Sequence, residues 1–70
     1  MGMQARHGTK LTDRERQVVG LLAKDVPAKA IAGHLGLKVL TVYEHIKQAK
    51  RRTGARTLPG LVALYLADGD

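Results

Sequence analysis

The chain has no cysteine. No disulfide can staple it and no thiolate can hold a metal. That absence fits a reducing compartment, and a cytoplasmic location is expected. Tryptophan and phenylalanine are also missing, so Tyr43 and Tyr65 are the only aromatics. A core must then be built from Leu, Val, Ile and Ala. Acidic residues are scarce. Six Asp and Glu stand against twelve Lys and Arg, a formal net charge of +6, and this balance favours an anionic partner. No apolar run approaches the roughly 20 residues needed to cross a bilayer, so no membrane segment is expected. The opening MGMQARHGTK is polar throughout, unlike an export signal. It begins Met-Gly, but Arg6 stands where a myristoylation signal has Ser or Thr.

The same scarcity argues against catalysis. His7, His34 and His45 have no metal-ligand spacing, and the carboxylates are scattered along the chain. There is no glycine-rich phosphate loop. Neither an enzyme, a metal site nor a cofactor is expected.

What the chain does have is helix punctuation. Its 70 residues make one domain, of a size that buries only about 60% of its unfolded surface. Residues 1–10 read as a flexible basic arm and 11–70 as one all-α domain, a four-helix bundle. LTDRERQVVGLLAKD opens with Thr12 and Glu15 in capping-box spacing, with Leu11 just outside. Val18, Val19, Leu21 and Leu22 form its apolar stripe, and Asp25 and Pro27 end it. Pro27 is expected as the first residue of the second helix, where a missing N–H costs nothing. Ile31 and Leu35 are that helix's apolar pair, and Gly36 is its C-terminal cap. Gly20 and Gly33 are expected on outward positions. A third helix runs from about residue 39 to Gly54, and a fourth from about 57 to 67.

The stretch TVYEHIKQAKRR carries the functional signal. On a helix, Val42, Ile46 and Ala49 form a narrow apolar seam, extended by Thr53. Such a seam docks one face and leaves the other free. A short helix, a turn containing glycine and a longer helix make the helix-turn-helix layout, whose second helix can enter the major groove. At about 100° per residue, the positions farthest from the seam are Leu40, Glu44, Lys47, Gln48 and Arg51. These are the expected base contacts. Lys47 and Arg51 can donate to guanine, Glu44 can accept from cytosine N4, and Leu40 can touch a thymine methyl. Tyr43, His45, Lys50 and Arg52 lie on the flanks, where phosphates run. Lys29, at the start of the second helix, and Lys38, before the third, join them.

These residues resemble the LuxR-type (GerE-type) DNA-binding domain of bacterial transcription regulators. The resemblance rests on LTDRERQVVGLLA, AKAIAGHLGL, TVYEHI, Gly54-Ala55 and Leu61-Val62, and covers residues 11–67. It implies a transcription regulator binding double-stranded DNA through its third helix. It adds Thr41 to the backbone contacts, supports Tyr43, Glu44 and Lys47, and matches His45. There are departures. Lys38 replaces the serine that usually caps the recognition helix, and Tyr43 replaces a usual basic residue. Thr41-Val42-Tyr43-Glu44 is itself a capping box, so the helix start lies at residue 39 by the family register or one turn later by the box.

In the fourth helix, Leu58, Leu61, Val62 and Tyr65 supply one core face, while Ala63, Leu64, Leu66 and Ala67 fall outside it. A helix apolar nearly all round in so small a domain points to pairing. The family's habit of dimerising there makes a homodimer through Leu61, Leu64, Tyr65 and Leu66 the expectation. The rival reading is a sigma region-four-like module acting through protein contact, with RNA polymerase as its partner. The LTDRERQVVGLLA opening and Gly54 fit the LuxR pattern better.

Overall fold

A computed structural model describes residues 11–68. The arm expected over residues 1–10 lies outside the described residues. The order is α1 (Asp13–Ala23), α2 (Ala28–Leu35), α3 (Val39–Thr53) and α4 (Leu58–Asp68), with no strand among the described residues. The fold is all-α, as expected.

The helix ends follow from local hydrogen bonding. At the start of α1, the Glu15 N–H donates to Thr12 Oγ1 at 3.1 Å, and the Thr12 N–H donates to Glu15 Oε1 at 3.0 Å. The capping box is closed in both directions. The other end differs from expectation. Asp25 takes a left-handed conformation, φ 64°. Its N–H donates to the Leu22 carbonyl at 2.9 Å, and the Val26 N–H donates to Leu21 at 3.1 Å. These two bonds form a Schellman closure, built on Asp rather than Gly. The chain thus reverses before Pro27 is reached. Pro27 is extended and sits one residue outside α2. Its carbonyl accepts from the Ile31 N–H at 2.9 Å. It is therefore the N-cap rather than the first helical residue.

Gly36, φ 70°, closes α2, and the Leu37 N–H returns to the Ala32 carbonyl at 2.8 Å. This bond holds Leu37 against the core and leaves three residues before α3. Lys38 is the N-cap of α3 and makes no side-chain cap. The family register is the one adopted, and Thr41 lies within the helix. A cap at Thr41 is worth about 1 kcal/mol, whereas burying an aliphatic side chain is worth about 1.5–3 kcal/mol. The early start carries the chain directly from Leu37, packed on the core, to the fully buried Val42. Gly54, φ 80°, ends α3 with its N–H on the Lys50 carbonyl at 2.9 Å. Thr57 caps α4, its Oγ1 accepting from the Gly60 N–H at 3.1 Å.

Every helix contributes to one aliphatic core: Leu11, Val18 and Val19, then Ile31 and Ala32, Val42, Ile46 and Ala49, and Leu61. The expected seam of α3 is the buried one. α1 packs against both α3 and α4, and α2 packs on α3.

One charged side chain is buried with this core. Glu15 is 3% exposed, and Arg52 donates its Nε to Glu15 Oε2 at 3.0 Å. Burial pushes the Glu15 pKa upward, but hydrogen bonds from the Thr12 backbone and Arg52, and the Arg52 charge, outweigh it. The net effect holds the carboxyl below its ordinary value. Arg52 therefore has a structural partner that its place on the flank did not announce. Its Nε clamps the end of α3 to the start of α1.

Gly20 is also corrected. It faces α4, not open solvent, and a Cβ there would come within 2.8 Å of the Tyr65 hydroxyl oxygen. Gly33 is exposed with nothing within 4 Å of a Cβ, as expected.

Gly33→Ala should raise the melting temperature, because alanine gains up to about 1 kcal/mol in a helix interior, or roughly 4–8 °C for a domain this small. Gly20→Ala should gain less, since the Tyr65 hydroxyl must move to admit the Cβ. Thermal circular dichroism on the two variants checks the order. A second prediction concerns acid. Glu15 binds its proton less readily folded than unfolded, so its contribution is complete above the ordinary value of about 4.3. It is lost as pH falls through the depressed folded value. Urea unfolding of the wild type should therefore weaken below about pH 4.3 more steeply than that of Glu15→Gln. Arg52→Ala should cost about 1–3 kcal/mol near neutral pH by leaving the buried carboxylate short of a donor.

Candidate nucleic-acid interface

The seam of α3 determines which side chains face outward. With Val42, Ile46 and Ala49 buried, the opposite face holds Leu40, Glu44, Lys47, Gln48 and Arg51, and all five are exposed. These are the residues expected to meet bases, and one helix brings them into one row. Lys47 and Arg51 stand one turn apart, as do Leu40 and Glu44. The row presents two cationic donors, one carboxylate acceptor, one amide with both functions and one apolar side chain.

The flanks are less uniform. Tyr43 is exposed, whereas Thr41, His45 and Lys50 are half-buried along the edges of the docked face. Lys29 is exposed in the first turn of α2, and Lys38 is exposed immediately before α3. They belong to different elements, which the turn around Gly36 connects. Arg52 keeps part of its surface exposed, but its Nε belongs to the pair with Glu15. Val39 was missed by sequence reasoning. It is 36% exposed beside Leu40, and only its position one residue before the expected reading row could have flagged it.

The charge is distributed unevenly along α3. Its first turn holds no acidic residue, and its last turn holds Lys50, Arg51 and Arg52. Cations at a helix C-terminus suit the macrodipole, so part of this charge stabilises the helix. Lys47 lies outside that last turn and is exposed. With Lys38 and Lys29 it makes a cationic surface answered on α3 only by Glu44.

Of the side chains expected at a dimer contact, Leu64 and Leu66 are 42% and 63% exposed, while Tyr65 is half-buried against α1. Leu61 is 0% exposed. Its side chain belongs wholly to the monomer's core, so it is removed from the surface contact set. Among the described residues, no cluster of three or more His, Cys, Asp or Glu could hold a metal ion. No helix among them is long and apolar enough to cross a membrane.

The chain is similar in sequence to known proteins. The family model for bacterial regulatory proteins of the luxR family matches residues 9–65. The transcriptional regulatory protein MctR of Rhizobium johnstonii is 36% identical over 70 residues, which is 99% of this chain and 33% of the relative. The transcriptional regulatory protein FixJ of Rhizobium meliloti is 37% identical over 59 residues, 84% of this chain and 29% of the relative. The chain spans about a third of the length of these curated relatives. A match over nearly the whole of the described four-helix fold leaves a single assignment: the chain belongs to the luxR family of bacterial regulatory proteins.

Proposed function

We propose that this domain regulates transcription by binding double-stranded DNA in a sequence-specific manner, with α3 in the major groove. The observation that carries this reading is the outward row of α3, all of it exposed opposite a buried seam. A helix docked by three residues on one side can present the other to a groove about 12 Å wide without disturbing the core. In this reading Lys47 and Arg51 donate to guanine O6 and N7, Glu44 accepts from cytosine N4, and Gln48 pairs with a base edge beside them. Lys29, Lys38, Thr41, Tyr43, His45 and Lys50 contact the phosphate backbone and set the register. Arg52, exposed beyond its Nε, joins these phosphate contacts while its pair with Glu15 holds the end of the reading helix.

The reading extends to pairing of two copies through α4. No Lys or Arg follows Arg56, and the outer side of α4 exposes Ala63, Leu64, Leu66 and Ala67. Leu66 also borders an apolar groove with Leu22, Leu58 and Val62, between the end of α1 and α4. Two protomers joined there would meet half-sites one helical turn apart or a multiple of it.

Binding should weaken steeply with salt. If each protomer neutralises about four phosphates, log K falls against log salt with a slope of roughly −4. Fluorescence anisotropy across a salt series measures this, and a flat response would sink the DNA reading. Lys47→Ala should reduce affinity for a selected site more than for random DNA, by about 1–3 kcal/mol of discrimination. Lys50→Ala should weaken both alike and shorten the slope by about one. Identical behaviour of the two variants on both DNAs would mean that the reading row is wrongly phased. For pairing, sedimentation equilibrium should find the wild type self-associating at high micromolar concentration and Leu64→Glu monomeric. A monomeric wild type, with Leu64→Glu binding the full site as well as the wild type does, would remove the dimer.

A further inference from the structure

The described residues leave six large apolar side chains exposed, and these fall in only two places. Three belong to α4: Leu58, Leu64 and Leu66. The other three open α3: Val39 at 36%, Leu40 at 69% and Tyr43 at 56%. The second group serves no core. Leu40 lies roughly 160° around the helix from the buried Val42, on the row it shares with Lys47 and Arg51. The start of α3 is also unusual in what it omits. It has no side-chain cap and no acidic residue in its first turn. A helix start selected for stability alone favours both. Without them, the first N–H groups and the positive end of the dipole stay open to a polyanion. An apolar tip on such an end would meet a ligand that is anionic outside and apolar at one point within.

Duplex DNA has that chemistry. In the major groove a thymine presents its 5-methyl group, and no other standard base offers an apolar substituent there. Lys47 follows Leu40 by seven residues, about 10 Å along the helix at 1.5 Å per residue. With base pairs about 3.4 Å apart, a helix lying along the duplex would set the two side chains about three pairs apart. We infer that α3 reads a composite half-site, in which Leu40, flanked by Val39 and Tyr43, packs on a thymine methyl while Lys47 donates to a guanine about three base pairs away. The inference rests on α3 being the groove helix. It adds which base the apolar tip selects, and in what order along the site.

Selection of bound duplexes from a random library supplies the probe, and the recovered half-site should hold a thymine about three pairs from a guanine. Each thymine of that site is then replaced singly by deoxyuridine, which removes the methyl group and keeps the pairing and O4. One such replacement should weaken wild-type binding about fourfold, the worth of one buried methyl. Leu40→Ala, at a solvent-exposed position, should melt like the wild type and bind the thymine and deoxyuridine forms alike. Lys47→Ala should keep the thymine preference and lose the preference for guanine. If no replacement changes wild-type affinity, or if Leu40→Ala still discriminates, the inference is overturned while sequence-specific binding stands. If no duplex is enriched over random DNA, the reading of α3 as the groove helix fails first, and the inference with it.

Discussion

Glu15 is the only charged side chain buried among the described residues, and the position of α3 depends on what it accepts. One carboxylate oxygen takes the Thr12 N–H and so starts α1. The other takes Arg52 Nε and so fixes the last turn of α3. Removing a carboxylate from water is costly unless its lone pairs are satisfied by good donors. Here a backbone N–H and a guanidinium meet that condition together. The cap of one helix and the docking of another thus share one group, and neither can shift without exposing the other to an unpaired buried charge.

That clamp works with the apolar seam to define a face. Val42, Ile46 and Ala49 hold α3 along its middle, and Arg52 holds it near its end. The opposite row is then free of any packing duty. This division explains why a helix carrying Lys47, Lys50, Arg51 and Arg52 can belong to a domain with so small a core. The charge lies where solvent or an anion meets it, and three of the four residues sit at the end of the helix that the macrodipole makes negative.

α4 illustrates the limits of a small fold. Leu61 fills the core completely, and Tyr65 reaches across to α1 where Gly20 leaves room for it. A helix of 11 residues cannot turn all of its leucines inward against a single neighbouring layer. Leu64 and Leu66 stay on the surface for that geometric reason.

Much of this was legible in the residues. The Thr12–Glu15 spacing, the glycines at 36 and 54 and the i, i+4, i+7 pattern of Val42, Ile46 and Ala49 act within a few residues, so local chemistry dictated the ends of three helices and the inward face of α3. The same period placed Leu40, Glu44, Lys47, Gln48 and Arg51 outward, and their exposure agrees. What sequence alone left open depended on contacts distant along the chain. A competing capping box at Thr41 lost because early helix formation keeps both Leu37 and Val42 on the core. The partner of Arg52 stayed hidden because Glu15 lies 37 residues away. Gly20 read as outward because nothing local reveals that Tyr65 approaches it. Leu61 read as both core and contact because periodicity gives a face but not its depth. Local hydrogen bonding and helical period determined the elements and their faces; only tertiary packing, which brings distant residues within a few ångströms, decided which polar and apolar groups those faces meet.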